Sequence, residues 1–149
     1  MAKFNFRLQS VLTVKEKIED LKKNEFGKAV MELEIERQKK AELERKRVDC
    51  INGFRESIMQ GVNPLEIQRY NLFIDKLKHL IKLQEQAIIK AQAWVEKKRA
   101  ELVEAMRDRK TLDALKENDF EEFLVEEKKA EQKVVDEIVS YRTACLQKQ

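Results

Sequence analysis

His79 is the single histidine of this 149-residue chain, and Cys50 and Cys145 are its two cysteines. Histidine can move protons near neutral pH, and histidines and cysteines at short spacing can bind zinc. Neither arrangement occurs here, because His79 has no cysteine or second histidine at ligand spacing. No GxxxxGK(S/T), GxGxxG or HExxH pattern is present, so the sequence offers neither a phosphate-cradling loop nor a metalloprotease helix. Carboxylates are close together only because Asp and Glu are common, 28 residues in all. No enzymatic activity, cofactor, metal or small-molecule substrate is expected.

The remaining chemistry is that of side chains displayed along helices. Charged residues make up 40% of the chain and apolar ones 42%, while three glycines and one proline leave few places to turn. Such a composition with helical periodicity points to long helices or a coiled coil. The net charge of +3 comes from 31 basic and 28 acidic residues, interspersed as on solvated helix faces. Even the densest basic run, KKAELERKR (39–47), contains two glutamates. It reads as a solvated face, and no nucleic-acid partner is expected. No apolar run exceeds three residues. Neither an integral membrane segment nor a signal-peptide core is therefore expected, and the two thiols should be reduced in the cytosol.

The chain is punctuated once, by QGVNP (60–64). Gly61 suits the left-handed residue that ends a helix, Asn63 suits a cap, and Pro64 suits the first turn of the next helix. The expected organisation is one coiled-coil domain over 1–149, with helix one at about 4–59, a turn at 60–64 and helix two at about 65–146. In the first arm Val11, Val14, Ile18 and Leu21 step by 3, 4 and 3 residues, as a seam does. Ala29, Val30 and Leu33 continue it, and Ile51, Phe54 and Ile58 resume it after a stretch poor in apolar residues, EIERQKKAELERKR (34–47). Gly27 and Gly53 lack breaker companions and are kept within the helix. The second arm is cleaner. Ile67, Ile74, Ile81, Ile88, Val95 and Leu102 recur every seven residues. Tyr70, Leu77, Gln84, Ala91, Lys98, Ala105 and Leu112 lie between them at the second seam position.

The fold class that follows is all-α, an elongated antiparallel two-helix coiled-coil hairpin with a longer second helix. A fold point near residue 62 sets residue i opposite about 124 − i and Phe4 opposite about residue 120. Helix two then runs on for roughly 40 Å without a partner. That overhang keeps an apolar stripe of Phe123, Ala130, Val134, Ile138, Tyr141 and Cys145, of the kind that marks an interface. Phe73, Leu80, Ala87 and Trp94 form a second stripe beside the seam. Asn118 and Asp119, with Glu122 following, are suited to capping a fresh helix within the second arm.

Three segments, in this order and at this spacing, resemble the FliJ family of bacterial flagellar type III export: FNFRLQSVL (4–12), GVNPLEIQRYNLFIDKL (61–77) and AEQKVVDEI (130–138). The resemblance implies an antiparallel coiled coil similar to the central stalk of rotary ATPases. It implies three partners: the hexameric export ATPase, whose pore receives the end bearing both termini; the cytoplasmic domain of the membrane export gate; and export chaperones. It also implies a cytoplasmic protein peripherally associated with the inner membrane at the flagellar basal body. The uncovered overhang fits an axle covered by a ring. The ring contact is accordingly expected at Phe4, Phe6, Arg7 and Leu8, together with Val134, Glu137, Ile138 and Tyr141. The family's gate contact uses a YxxFIxxL pattern, present here as YNLFIDKL, which implies Phe73 and Leu77. Leu77, however, falls in the seam of the register above.

Other readings fit the same pattern. A stalk protein of a virulence injectisome shares the architecture. A generic coiled-coil adaptor or chaperone would self-associate through the exposed stripes. A basic amphipathic helix lying on anionic membrane is disfavoured by the interspersed acidic residues.

Overall fold

The computed structural model describes residues 2–61 and 63–148, and its described secondary structure is two α-helices: α1, Gln9–Met59, and α2, Pro64–Gln147. The described residues fall into two compact units, through both of which each helix passes. Unit 1 comprises residues 1–20 and 104–149, and unit 2 comprises 21–103.

Unit 2 is a helical hairpin. Gly61 has φ +81°, the left-handed conformation its lack of a Cβ allows, and its amide donates to the Ile58 carbonyl at 3.3 Å. Asn63 then opens α2. Its carbonyl accepts from the amides of Glu66 and Ile67, and its side-chain oxygen accepts from the Leu65 amide at 3.4 Å. Pro64 is the first residue of the helix, where no amide donor is needed. Val62, within the expected turn, lies outside the described residues. Gly27 and Gly53 both lie inside α1 without breaking it.

The antiparallel register matches the expected fold point. Phe54 meets Tyr70 edge-on at 5.5 Å, and the Ser57 and Tyr70 hydroxyls lie 3.4 Å apart. Further along, Ala29 and Leu33 pack with Val95, flanked by Phe26, Ile88 and Ala91. On α2 the expected heptad is the seam: Leu77, Ile81 and Val95 are buried and the intervening seam positions are half-buried.

On α1 the seam keeps Ala29, Leu33 and Phe54 from the apolar pattern but otherwise differs from it. In unit 2 it runs through Lys22, Phe26, Ala29, Leu33, Glu36, Lys40, Leu43, Arg47, Cys50, Phe54 and Ser57, all buried or half-buried, while Leu21, Val30 and Ile58 are exposed. Charged residues take seam positions because their aliphatic stems cover apolar neighbours while their heads reach outward to partners on α2. Lys22 pairs with Glu101 at 3.3 Å, and Lys40 with Glu85 at 3.4 Å. The stretch 34–47 thus covers Leu77 and Ile81 despite its poverty in apolar residues.

In unit 1 the two helices are again antiparallel. Leu12 is 2% exposed and Ala105 is buried, and Lys116 donates to the Gln9 side-chain oxygen at 2.8 Å. Here α1 begins at Gln9, not near residue 4. Residues 2–6 are non-helical, and the Gln9 amide donates to the Phe6 carbonyl at 3.2 Å. On a helix Phe4 and Phe6 would point to nearly opposite sides, whereas in extended chain residues two apart share a side. Phe6 is buried and Phe4 half-buried in this lead. Beyond it, α2 continues uninterrupted through Asn118 and Asp119, so the cap available there is not used.

Candidate functional site

Two surfaces carry the residues the sequence singles out, one in each unit. In unit 1 the N-terminal lead closes over α2 through an aromatic cluster. The Phe4 ring lies 5.2 Å from Phe120 and 5.5 Å from Phe123. A shallow cleft beside it places Lys3 and Arg7 among Asp119, Glu122 and Glu126, so a basic lead sits against an acidic stretch of α2. Of the four lead residues expected to contact a ring, only Arg7 is exposed. Phe4 and Leu8 are half-buried, and Phe6 is 5% exposed. Phe6 is therefore an anchor of the lead, with little surface left for another molecule.

Val134, Glu137, Ile138 and Tyr141 are all exposed, Tyr141 to 73%. No described residue of α2 beyond Glu127 is even half-buried. Val134 lies roughly 17 Å along the helix from Phe123, and Tyr141 roughly 27 Å. The eight expected residues thus form two successive zones of unit 1. The second zone is wider than its sequence stripe, because Leu124, Val125, Val135, Val139 and Leu146 are exposed as well. These lie beside the stripe and outside the seam period, so the heptad did not select them.

In unit 2 the site residues part company. Phe73 is about half exposed, whereas Leu77 is 3% exposed and belongs to the seam. Phe73 borders an open groove of about 700 Å³ together with Tyr70, Glu66 and Arg69 of α2 and Lys46, Asp49 and Cys50 of α1. The α1 wall was not anticipated, since two of its three lining residues, Lys46 and Asp49, are charged. Leu80, Leu83 and Trp94 continue an exposed apolar face on α2, and Trp94 is flanked by the Lys97 and Lys98 ammonium groups at 5.2 and 4.6 Å.

The electrostatics of unit 2 are those of a pinned seam. Lys98 reaches Glu25 at 3.2 Å and Glu101 at 3.3 Å, and Lys22 joins the same two carboxylates. The Lys98 hydrogen bond holds the Glu25 carboxyl below its ordinary range, the Lys22 and Lys98 hydrogen bonds do so for Glu101, and Glu25 in turn raises Lys98. Gln84 donates to both the carbonyl and the carboxylate of Glu36, lowering the latter. These shifts arise from paired seam charges, so they mark packing and not a proton-transfer centre. His79 is exposed on α2, Cys50 is half-buried and Cys145 exposed. Among the described residues no group of three or more His, Cys, Asp or Glu is placed to hold a metal ion, and no helix is long and apolar enough to cross a membrane.

Comparison with known proteins bears on the family and the fold. The family model described as "Flagellar FliJ protein" matches residues 4–145. The flagellar FliJ protein of Bacillus subtilis (strain 168) is 26% identical over 135 residues, covering 91% of this chain and 92% of that protein. The solved structure of CT670 from Chlamydia trachomatis, described as a candidate YscO homolog, superposes with a TM-score of 0.71 over 99% of both chains at 20% identity. At that identity the likeness is one of fold.

Proposed function

This chain belongs to the FliJ family, and from that premise we propose that it is a non-enzymatic, central-stalk-like subunit of the flagellar type III protein export machinery. Its partners in this reading are the hexameric export ATPase, the cytoplasmic domain of the membrane export gate, and export chaperones. It works in the cytoplasm, peripherally associated with the inner membrane at the flagellar basal body. What it contributes is mechanical coupling and not bond chemistry.

The observation that carries this reading is the terminal stretch of α2, where Val134, Ile138 and Tyr141 are each more than half exposed with no described residue packed over them. A free helix face of this kind needs a partner to remove it from water. A ring surrounding the helix supplies apolar contact on every side, which accounts for apolar residues lying outside the stripe as well as within it. In this reading Val134, Glu137, Ile138 and Tyr141 meet the ring directly. Phe4, Arg7 and Leu8 border its rim, and Phe6 holds the lead in place.

The gate contact is assigned to Phe73, whose exposed ring borders the groove in unit 2. Leu77 supports it from the seam, by fixing the turn of α2 that presents Phe73.

The decisive experiment removes residues 130–149 and measures stimulation of the cognate export ATPase. This cut spares Phe120 and Phe123, on which the N-terminal lead rests. Loss of stimulation with retained helix content is expected. Full stimulation by the truncated protein would exclude the ring contact proposed here.

A further inference from the structure

In unit 1 the face that α1 turns toward α2 is not its most apolar one. Val11 and Val14, spaced as a seam and followed by half-buried Ile18, are 42% and 53% exposed. Glu19, one position further on, is 4% exposed. Lys15 is half-buried with it. A helix that buries a carboxylate beside Leu12 and leaves two valines in water is not held there by apolar contact alone.

The structure identifies what holds it. The Arg109 guanidinium donates through Nε to Glu19 and through Nη1 to Asp113 at 2.6 Å, and Lys15 pairs with Asp108 at 3.7 Å. Ala105, small and buried, stands opposite Glu19 in this register and leaves room for the ion pair. Desolvation offsets most of a buried ion pair's attraction, so such a pair adds little net stability, and in some proteins it selects one packing geometry instead. Single polar residues at seam positions set register in the same way.

We propose that residues 9–20 of α1 have two packings against residues 104–116 of α2, and that the Glu19–Arg109–Asp113 cluster selects the one described. In the other, this part of α1 turns about its axis by one residue, about 100°. Val11, Val14 and Ile18 then enter the seam, Lys15 and Glu19 return to water, and Leu12 leaves the interface. One face offers Leu12 with charges that pair, the other three β-branched side chains without charges. The cluster is a positioning element, and it keeps Val11 and Val14 outward.

The test uses the full-length protein with Cys50→Ser and Cys145→Ser, carrying one reporter thiol at a time, Val14→Cys or Leu12→Cys. Alkylation rates are read with and without Arg109→Ala. Beside Arg109 the thiol at position 14 should react quickly and the one at position 12 slowly. Arg109→Ala should slow the first at least ten-fold and speed the second comparably. Glu19→Leu, which gives the described seam an apolar residue, should leave both rates near those of the parent. Unchanged rates in Arg109→Ala would overturn the proposal. So would two fast thiols, because the segment would then have detached instead of turning.

Discussion

Gln84 of α2 donates its side-chain amide to the backbone carbonyl of Glu36 in the middle of α1, at 2.9 Å. The same nitrogen reaches the Glu36 carboxylate. This contact pins the hairpin where α1 has least apolar surface to contribute.

Gln84→Ala should therefore lower the stability of the protein. The bond to the carbonyl contributes about 1 kcal/mol, and loss of the side-chain stem adds to that. Lys39→Ala, which removes an exposed partner of Glu36, should change little. Urea unfolding of the two variants side by side measures the difference, and equal midpoints would show that Gln84 does not hold the seam.

Leu33 and Val30 were both expected in the seam of α1, and only Leu33 lies in it. Leu33, 8% exposed, packs in the cluster with Ala29 and Val95, whereas Val30 is 42% exposed. Leu33→Ala should cost about 2–4 kcal/mol. Val30→Ala should stay within about 0.5 kcal/mol of the parent. Thermal or denaturant melts decide it, and a reversed order would place Val30 in the seam.

The glycines should respond with opposite signs. A Cβ at Gly27 would meet nothing within 4 Å, so Gly27→Ala should stabilise α1 by about 1 kcal/mol. Gly61→Ala should destabilise by about 1–2 kcal/mol, since its φ of +81° lies in the left-handed region that a Cβ disfavours. Melting temperatures of the two variants, one above and one below the parent, are the expected result.

Acid should weaken the hairpin. Glu25, Glu36 and Glu101 are all held below the ordinary glutamate value of 4.5, respectively by Lys98, by Gln84 and by Lys22 with Lys98. A carboxylate lowered in the folded state contributes stability that is complete above its unfolded value and is lost as pH falls through its folded one. Lys98 is raised, chiefly by Glu25, so its contribution is complete below 10.5 and lost above that. Melting temperature should thus be level near neutrality and drop below about pH 4.5. A melting temperature at pH 3 equal to that at pH 7 would mean these pairs contribute nothing.

Phe73 and Leu77 should separate a binding defect from a folding defect. Phe73→Ala should weaken binding to the export gate's cytoplasmic domain about ten-fold or more, leave ATPase binding intact, and barely shift the melting temperature. Leu77→Ala should cost about 2–4 kcal/mol, because its side chain is buried in the seam. Pull-downs with each partner, read beside thermal melts, make the distinction.

The second helix was legible from the chain alone. Its aliphatic residues repeat every seven positions from Ile67 to Leu102, and burial follows that repeat because one apolar face needs one cover. The turn was legible for a similar reason: Gly61 and Pro64 each suit a single backbone role, and Phe4 meeting Phe120 follows from where they stand. The first helix was legible only in part. Its spacing nominated Ala29, Leu33 and Phe54, which do lie in the seam, but also Val11, Val14, Leu21, Val30 and Ile58, all of which are exposed. The positions taken instead by Lys15, Glu19, Lys22, Glu36 and Lys40 look like solvent-facing residues until the opposing helix is present. Only tertiary structure supplies Asp108, Arg109, Glu101, Gln84 and Glu85 opposite them. An apolar side chain reveals its preference through its own chemistry, but a charged one is buried or exposed according to its partner, and no spacing within one helix encodes that partner.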